Sequence, residues 1–238
     1  MGSNPTARTK TMFSYHYAYL LGNLLILLPV WVFIFRWRKD LRKEILIVSL
    51  VAGIIGPISE LYYLKDYWRP EIFTGWPVGI EDFLFGFFIG GISSVIYEEI
   101  FGKKHSKRTN RDHHWSWFII PISALFILVL NALFFIFNIN SIYVSLVAFF
   151  LITLVILCFR RDLWIDSIMS GVLMGLVMFF SYLVFLTIFP EAIHRWWLLN
   201  NISGILINGI PAEELLWAFG LGMVCGPIYE FFTGLREH

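Results

Sequence analysis

Charged side chains make up only 15% of this 238-residue sequence, well below the quarter or so usual in soluble domains. The 18 Lys and Arg nearly balance the 17 Asp and Glu, for a net charge of +1, so no basic surface is available for nucleic acid. Cysteine is scarce too. Cys158 and Cys225 are the only two, and both lie in apolar runs, which excludes a disulfide framework and a thiolate metal cluster and leaves packing as their role. Neither HExxH nor the paired DDxxD of diphosphate–Mg²⁺ sites occurs, so no metal site is expected, and no GxGxxG follows a strand to hold a dinucleotide.

What fills the chain instead is hydrocarbon. Apolar residues reach 58% and mean hydropathy is +0.72. Apolar segments recur almost to the C-terminus, so a removable leader does not account for them. A helix needs about 20 apolar residues to cross the bilayer core, and seven such spans are predicted: 12–35, 44–63, 81–101, 115–137, 141–159, 163–188 and 204–233. The last is expected to begin with a broken or interfacial piece around Asn208–Pro211. The fold class is thus an all-α integral membrane protein. Thirteen of the 18 Lys and Arg fall on one side of that arrangement, in 36–43, 103–111, 160–161 and at Arg236. By the positive-inside rule this puts a multi-pass protein in the cell membrane with its N-terminus outside and C-terminus cytoplasmic.

The chain also repeats itself. At an offset of 132, Glu81 aligns with Glu213, Asp82 with Glu214, Leu84 with Leu216, Phe85 with Trp217 and Phe87 with Phe219, and the match continues through Gly90, Ile96, Tyr97 and Glu98. Arg42-Lys43-Glu44 before the second span is read as the counterpart of Arg160-Arg161-Asp162 before the sixth. Two parallel three-helix repeats follow, 1–114 and 141–238, joined by a connector span within 115–140.

An ionisable residue inside a span costs about 2.5–3.5 kcal/mol at the helix centre, so each asks for a function or a partner. Glu81-Asp82 and Glu213-Glu214 open two apolar helices, with Arg69 and Arg195 the only basic residues expected near them. Helix capping explains one such pair; two pairs at repeat-related positions point to chemistry, because crowded carboxyls in a dry site cannot all ionise. The i, i+4 spacing places Phe85 over Glu81 and Trp217 over Glu213. Glu60 reaches the same level, either as a site acid or as a partner of Arg69. Glu98 and Glu230 lie 17 residues farther on and read as structural, with Tyr97 and Tyr229 as interface anchors.

At these residues the sequence resembles the membrane-embedded lycopene cyclases of the heterodimeric and fused type. The resemblance lies in Tyr67-Trp68-Arg69-Pro70 through Thr74-Gly75-Trp76-Pro77, in Glu81-Asp82-Phe83-Leu84-Phe85 and Ile96-Tyr97-Glu98, and again in Pro211-Ala212-Glu213-Glu214. The first copy departs from the Pro-x-Glu-Glu pattern with Gly79-Ile80-Glu81-Asp82. The resemblance implies a non-redox isomerase that closes the linear ψ-end of a carotenoid into an ionone-type ring. Glu213 and Glu214 would lead as catalytic carboxyls, then Glu81, Asp82 and Glu60. Phe85, Phe87, Trp217, Phe219, Trp68, Trp76, Asn208 and Pro211 would contact substrate, the aromatics stabilising a cation through their π faces. It implies no cofactor and a linear carotenoid drawn from the lipid phase, with membrane lipids, a second copy or other carotenoid-pathway enzymes as neighbours. The alternative is a carboxylate-lined transporter or a non-catalytic carotenoid-binding protein. A retinal photoreceptor is excluded because the seventh span has no lysine, and a prenyl-end protease because no Arg follows Glu213-Glu214 in its pattern.

Overall fold

The computed structural model describes residues 14–103, 105–107, 124 and 127–237. Among these residues six helices are long and apolar enough to cross a membrane. They are α1 (Tyr15–Trp37), α2 (Arg42–Asp66), α3 with α4 (Ile80–Ser93 and Ile96–Phe101), α6 (Ser141–Phe159), α7 (Trp164–Ile188, entered through Arg161–Leu163) and α9 (Ala212–Thr233). The fold is all-α and membrane-spanning. About half of the predicted fourth span falls outside the described residues, and the described part holds the shorter apolar helix α5 (Ile127–Ile136). Residues 204–211 are no part of the last span: they form a hairpin of β2 (Leu206–Ile207) and β3 (Ile210–Pro211). Its turn residues Asn208 and Gly209 both have positive φ, the conformation an Asn-Gly hairpin turn requires.

Helix ends recur at fixed offsets. α2 and α7 match at 122 residues, α3–α4 and α9 at 132. Two arginines anchor this register. Arg38 chelates Asp40 (3.1 and 3.0 Å) and donates to the carbonyls of Glu98 (2.7 Å) and Lys103 (2.6 Å). Arg160 does the same with Asp162 (2.9 and 2.9 Å) and the carbonyls of Glu230 (2.8 Å) and Leu235 (2.7 Å). Each guanidinium thus satisfies carbonyls that a helix end leaves open. This corrects the alignment read from sequence: Arg38–Asp40, not Arg42–Glu44, is the counterpart of Arg160–Asp162. Gly102 and Gly234 then end α4 and α9 in the left-handed conformation. Beyond them β1 (His105–Lys107) pairs antiparallel with β4 (Leu235–Glu237), and this end of the bundle is called the arginine end below.

Small residues let the helices touch. A Cβ on Gly56 of α2 would lie 2.4 Å from the Asp82 carbonyl of α3, and one on Gly222 of α9 would lie 2.5 Å from the Ser170 carbonyl of α7, the close approach expected where apolar helices pack in lipid. The outward faces carry Ile54, Ile58, Leu61, Phe150 and Phe180, all exposed; in a membrane they face acyl chains. At the end opposite the arginines, two loops are tied across the halves. Trp68 bridges Trp197, with Arg69 N–H on the Trp196 carbonyl (2.7 Å) and Leu198 N–H on the Tyr67 carbonyl (2.8 Å). Tyr15, Tyr63, Phe185, Phe189, Trp196 and Trp197 form the core there.

Candidate active site

The two acidic pairs open α3 and α9 at this tied end. Adjacent residues on a helix diverge by about 100° at 3.6 residues per turn, so the members of a pair cannot face the same way. The first members turn outward to hold loops. Glu81 accepts the Phe73 N–H (2.7 Å), and Glu213 accepts the Ser203 N–H (2.9 Å) and the Tyr143 hydroxyl (3.0 Å). The second members, Asp82 and Glu214, line a cavity of about 720 Å³ that Glu60 of α2 also lines. The aromatic partners follow suit: Phe85 and Trp217 line the cavity with the second carboxyls rather than lying over the first.

Hydrogen bonding separates the three cavity acids. Glu214 accepts three donors: the Tyr67 hydroxyl in a short bond and Trp197 Nε1 (2.9 Å) on Oε1, and the Tyr182 hydroxyl (2.6 Å) on Oε2. Tyr67 reaches it from the loop after α2, so the arrangement needs both halves. Burial, and then the adjacent Glu214 carboxylate, holds the Tyr67 phenol well above its ordinary range, which keeps it a donor. Glu60 accepts Trp68 Nε1 (3.1 Å) on Oε2, and Asp82 accepts the Gly79 N–H (2.8 Å) on Oδ2, with the Tyr19 hydroxyl also beside its carboxyl. Glu60 Oε1 and Asp82 Oδ1 are buried with no hydrogen-bond donor. Arg69 does not pair with Glu60; it caps the Leu64 and Lys65 carbonyls. Arg195 pairs with Glu191 and Glu71. Neither cation reaches the acids, so the cavity keeps its carboxyls without a salt bridge among the described residues.

Aromatic rings close the site. Phe85 and Trp217 stack at 6.0 Å between centroids and 24° between planes, and Trp68 lies 5.1 Å from Trp197. Trp217 is steered by a relay of hydroxyls. Its Nε1 donates to Tyr63 (2.9 Å), Tyr63 pairs with Ser145 (2.7 Å), and Ser145 donates to the Ser141 carbonyl (2.9 Å). Of the residues expected at the substrate, Phe85, Trp217 and Trp68 line the cavity. Phe87 does not: it packs on Trp31 and Phe83. Phe219 sits where α9 crosses Gly171 of α7, Trp76 is 74% exposed in its loop, Asn208 serves the hairpin turn, and Pro211 caps α9. Sequence reasoning missed Tyr67, Tyr182, Trp197, Tyr63 and Asn23, whose amide donates to the Glu81 carbonyl at a π-helical turn of α1. The available signals were the Tyr67-Trp68 and Trp196-Trp197 pairs, each preceding an acidic pair, and Tyr182, the one tyrosine of an apolar helix.

At the arginine end, Glu98 and Glu230 join Glu44 with carboxylate oxygens within 4.8 Å of one another, all buried. Tyr97 is buried and packs on Phe101 (5.1 Å between centroids) rather than lying exposed as an interface anchor.

No curated protein and no solved structure matches the chain. Residues 140–232 match the family model described as lycopene cyclase. That stretch runs from the start of α6 almost to the end of α9 and includes Glu214, Tyr182, Trp197 and Trp217, and over it the chain is similar to the lycopene cyclase family.

Proposed function

We propose that this protein closes the ψ-end of a linear carotenoid by acid-initiated, non-redox cyclisation. The observation that carries the reading is one apolar cavity with three carboxyls in unlike hydrogen-bonding environments. Three donors favour the ionised form of Glu214 over what its burial alone would allow, whereas a buried carboxyl with one bare oxygen has room for its own proton. Glu60 and Asp82 therefore supply the acid and Glu214 the base. The proton adds to the terminal isoprenoid double bond and leaves a tertiary cation. The next double bond attacks that carbon, the ring forms, and the cation moves into the ring. Glu214 removes a ring proton, and its return to Glu60 or Asp82 restores the site. The proton donated equals the proton removed, so the cycle needs no redox cofactor.

Phe85 and Trp217 present π faces where the cation forms, worth about 2 kcal/mol or more in a dry site. Glu81 and Glu213 act through the loops that they hold. The bias of Lys and Arg supports an acid end toward the outer side of the membrane. The pattern of repeated bonds supports a duplicated three-helix unit whose two copies share this single site.

Expression in a bacterium that accumulates lycopene tests the reading. Red pigment should turn orange-yellow, with ring-containing carotenoids on chromatography. Unchanged lycopene, with the protein present in the membrane, would overturn it. A transporter or passive pigment binder would give that unchanged result.

A further inference from the structure

The cavity is much longer than the acid site requires. On α9 its lining includes Glu214, Trp217, Leu221, Val224 and Ile228 and ends at Thr233, a stripe of alternating three- and four-residue steps along one helix face. From Glu214 to Thr233 is about 28 Å at 1.5 Å per residue, close to the ~30 Å of a bilayer core. The pseudo-equivalent space on the other side is filled. At the 132 offset the counterparts of Val224 and Ile228 are Ile92 and Ile96, buried in the core with Met174 of α7. That methionine corresponds at the 122 offset to Ala52 of α2, which lines the open side. Among the described residues the two near-equal halves therefore hold one deep groove, and the carboxyls of its lining lie at one end only.

We infer that this groove seats the whole length of an acyclic polyene, with its reacting end at Glu60, Asp82 and Glu214 and its far end beside Val224, Cys225 and Ile228 toward the arginine end. The inference rests on the cyclase reading and adds to it a ruler for substrate length. A rigid conjugated chain is the apolar ligand that such a channel fits, because it fills the length without losing the internal freedom that a saturated chain would.

Cys225 reports on the far end. Cys158 is exposed and the other cysteine, so Cys158→Ser leaves a single thiol inside the groove. Alkylation of that thiol by a membrane-permeant maleimide should slow about tenfold with lycopene at about ten times its dissociation constant, because only the empty fraction reacts. Lycopene bound, as read from its absorption, with Cys225 alkylated at the unprotected rate overturns the proposal. Val224→Phe and Ile228→Trp shorten the groove. In either variant the ratio of conversion of a truncated acyclic polyene to that of full-length lycopene should rise about tenfold, and an unchanged ratio overturns the ruler. Wild-type protein that cyclises neither length fails the cyclase reading instead, while the labelling result still decides where the polyene lies.

Discussion

Glu214 collects three donors from three separate segments, whereas Glu213, its neighbour in sequence, collects a loop amide and a tyrosine at the rim. The expected order of substitutions follows. Glu214→Gln should lower conversion by about 10²–10⁴-fold, the usual contribution of a proton-transfer group. Glu213→Gln keeps an oxygen for the Ser203 amide, so its loss should be nearer 1 kcal/mol, below tenfold. Product formation per unit of membrane protein checks both, and a larger loss in Glu213→Gln would reverse the assignment. Tyr67→Phe removes a donor to a charged acceptor, worth about 1.5–3 kcal/mol; conversion should fall between tenfold and about 150-fold while the protein level holds. The acidic pairs were legible in the sequence because carboxyls are rare in apolar helices. Which member faces the cavity was not, because that depends on the entry angle of each helix, set by Gly79 and Pro211 and the loops before them.

At the scale of elements, helix ends and helix crossings carry the stability. Arg160 is 1% exposed and holds two open carbonyls together with Asp162. Removing it takes charge-assisted donors from the Glu230 and Leu235 carbonyls, about 1.5–3 kcal/mol for each bond. Thermal unfolding in detergent should show a large drop for Arg160→Ala, with Arg160→Lys failing to restore it because an ammonium cannot span the same fork of acceptors. Gly56→Ala places a methyl 2.4 Å from the Asp82 carbonyl. Helix α3 must then move from α2, costing about 1–3 kcal/mol, and because Asp82 moves with it, activity should fall further than stability. The Arg-x-Asp pairs lay in plain view, but aligning the first with Arg42–Glu44 was natural from sequence alone, since only the shared carbonyl partners on α4 and α9 reveal Arg38 as the match.

For the whole molecule, the site is a product of both halves. Tyr67, Trp68, Glu60 and Asp82 come from the first, and Glu214, Tyr182, Trp197 and Trp217 from the second. Residues 141–238 expressed alone should insert in the membrane and form no ring product, because Glu214 then lacks Tyr67 and the acid pair; pigment chromatography checks this directly. Composition and apolar run length determined by themselves that the chain is helical and crosses a membrane, since an unbroken apolar run of about 20 residues satisfies its backbone hydrogen bonds in lipid as a helix, whereas a barrel strand needs only about 9–11 residues of alternating polarity. The recurrence of acidic and aromatic residues likewise pointed to the level of the site. Tertiary structure alone decided that residues from both ends of the chain converge on one cavity, that Glu60 joins Asp82 and Glu214 there, and that the groove runs past Ala52 and not past Met174. Those outcomes turn on whether a small residue such as Ala52 or a large one such as Met174 fills a given space between helices, and side-chain volume has meaning only once the helices are packed.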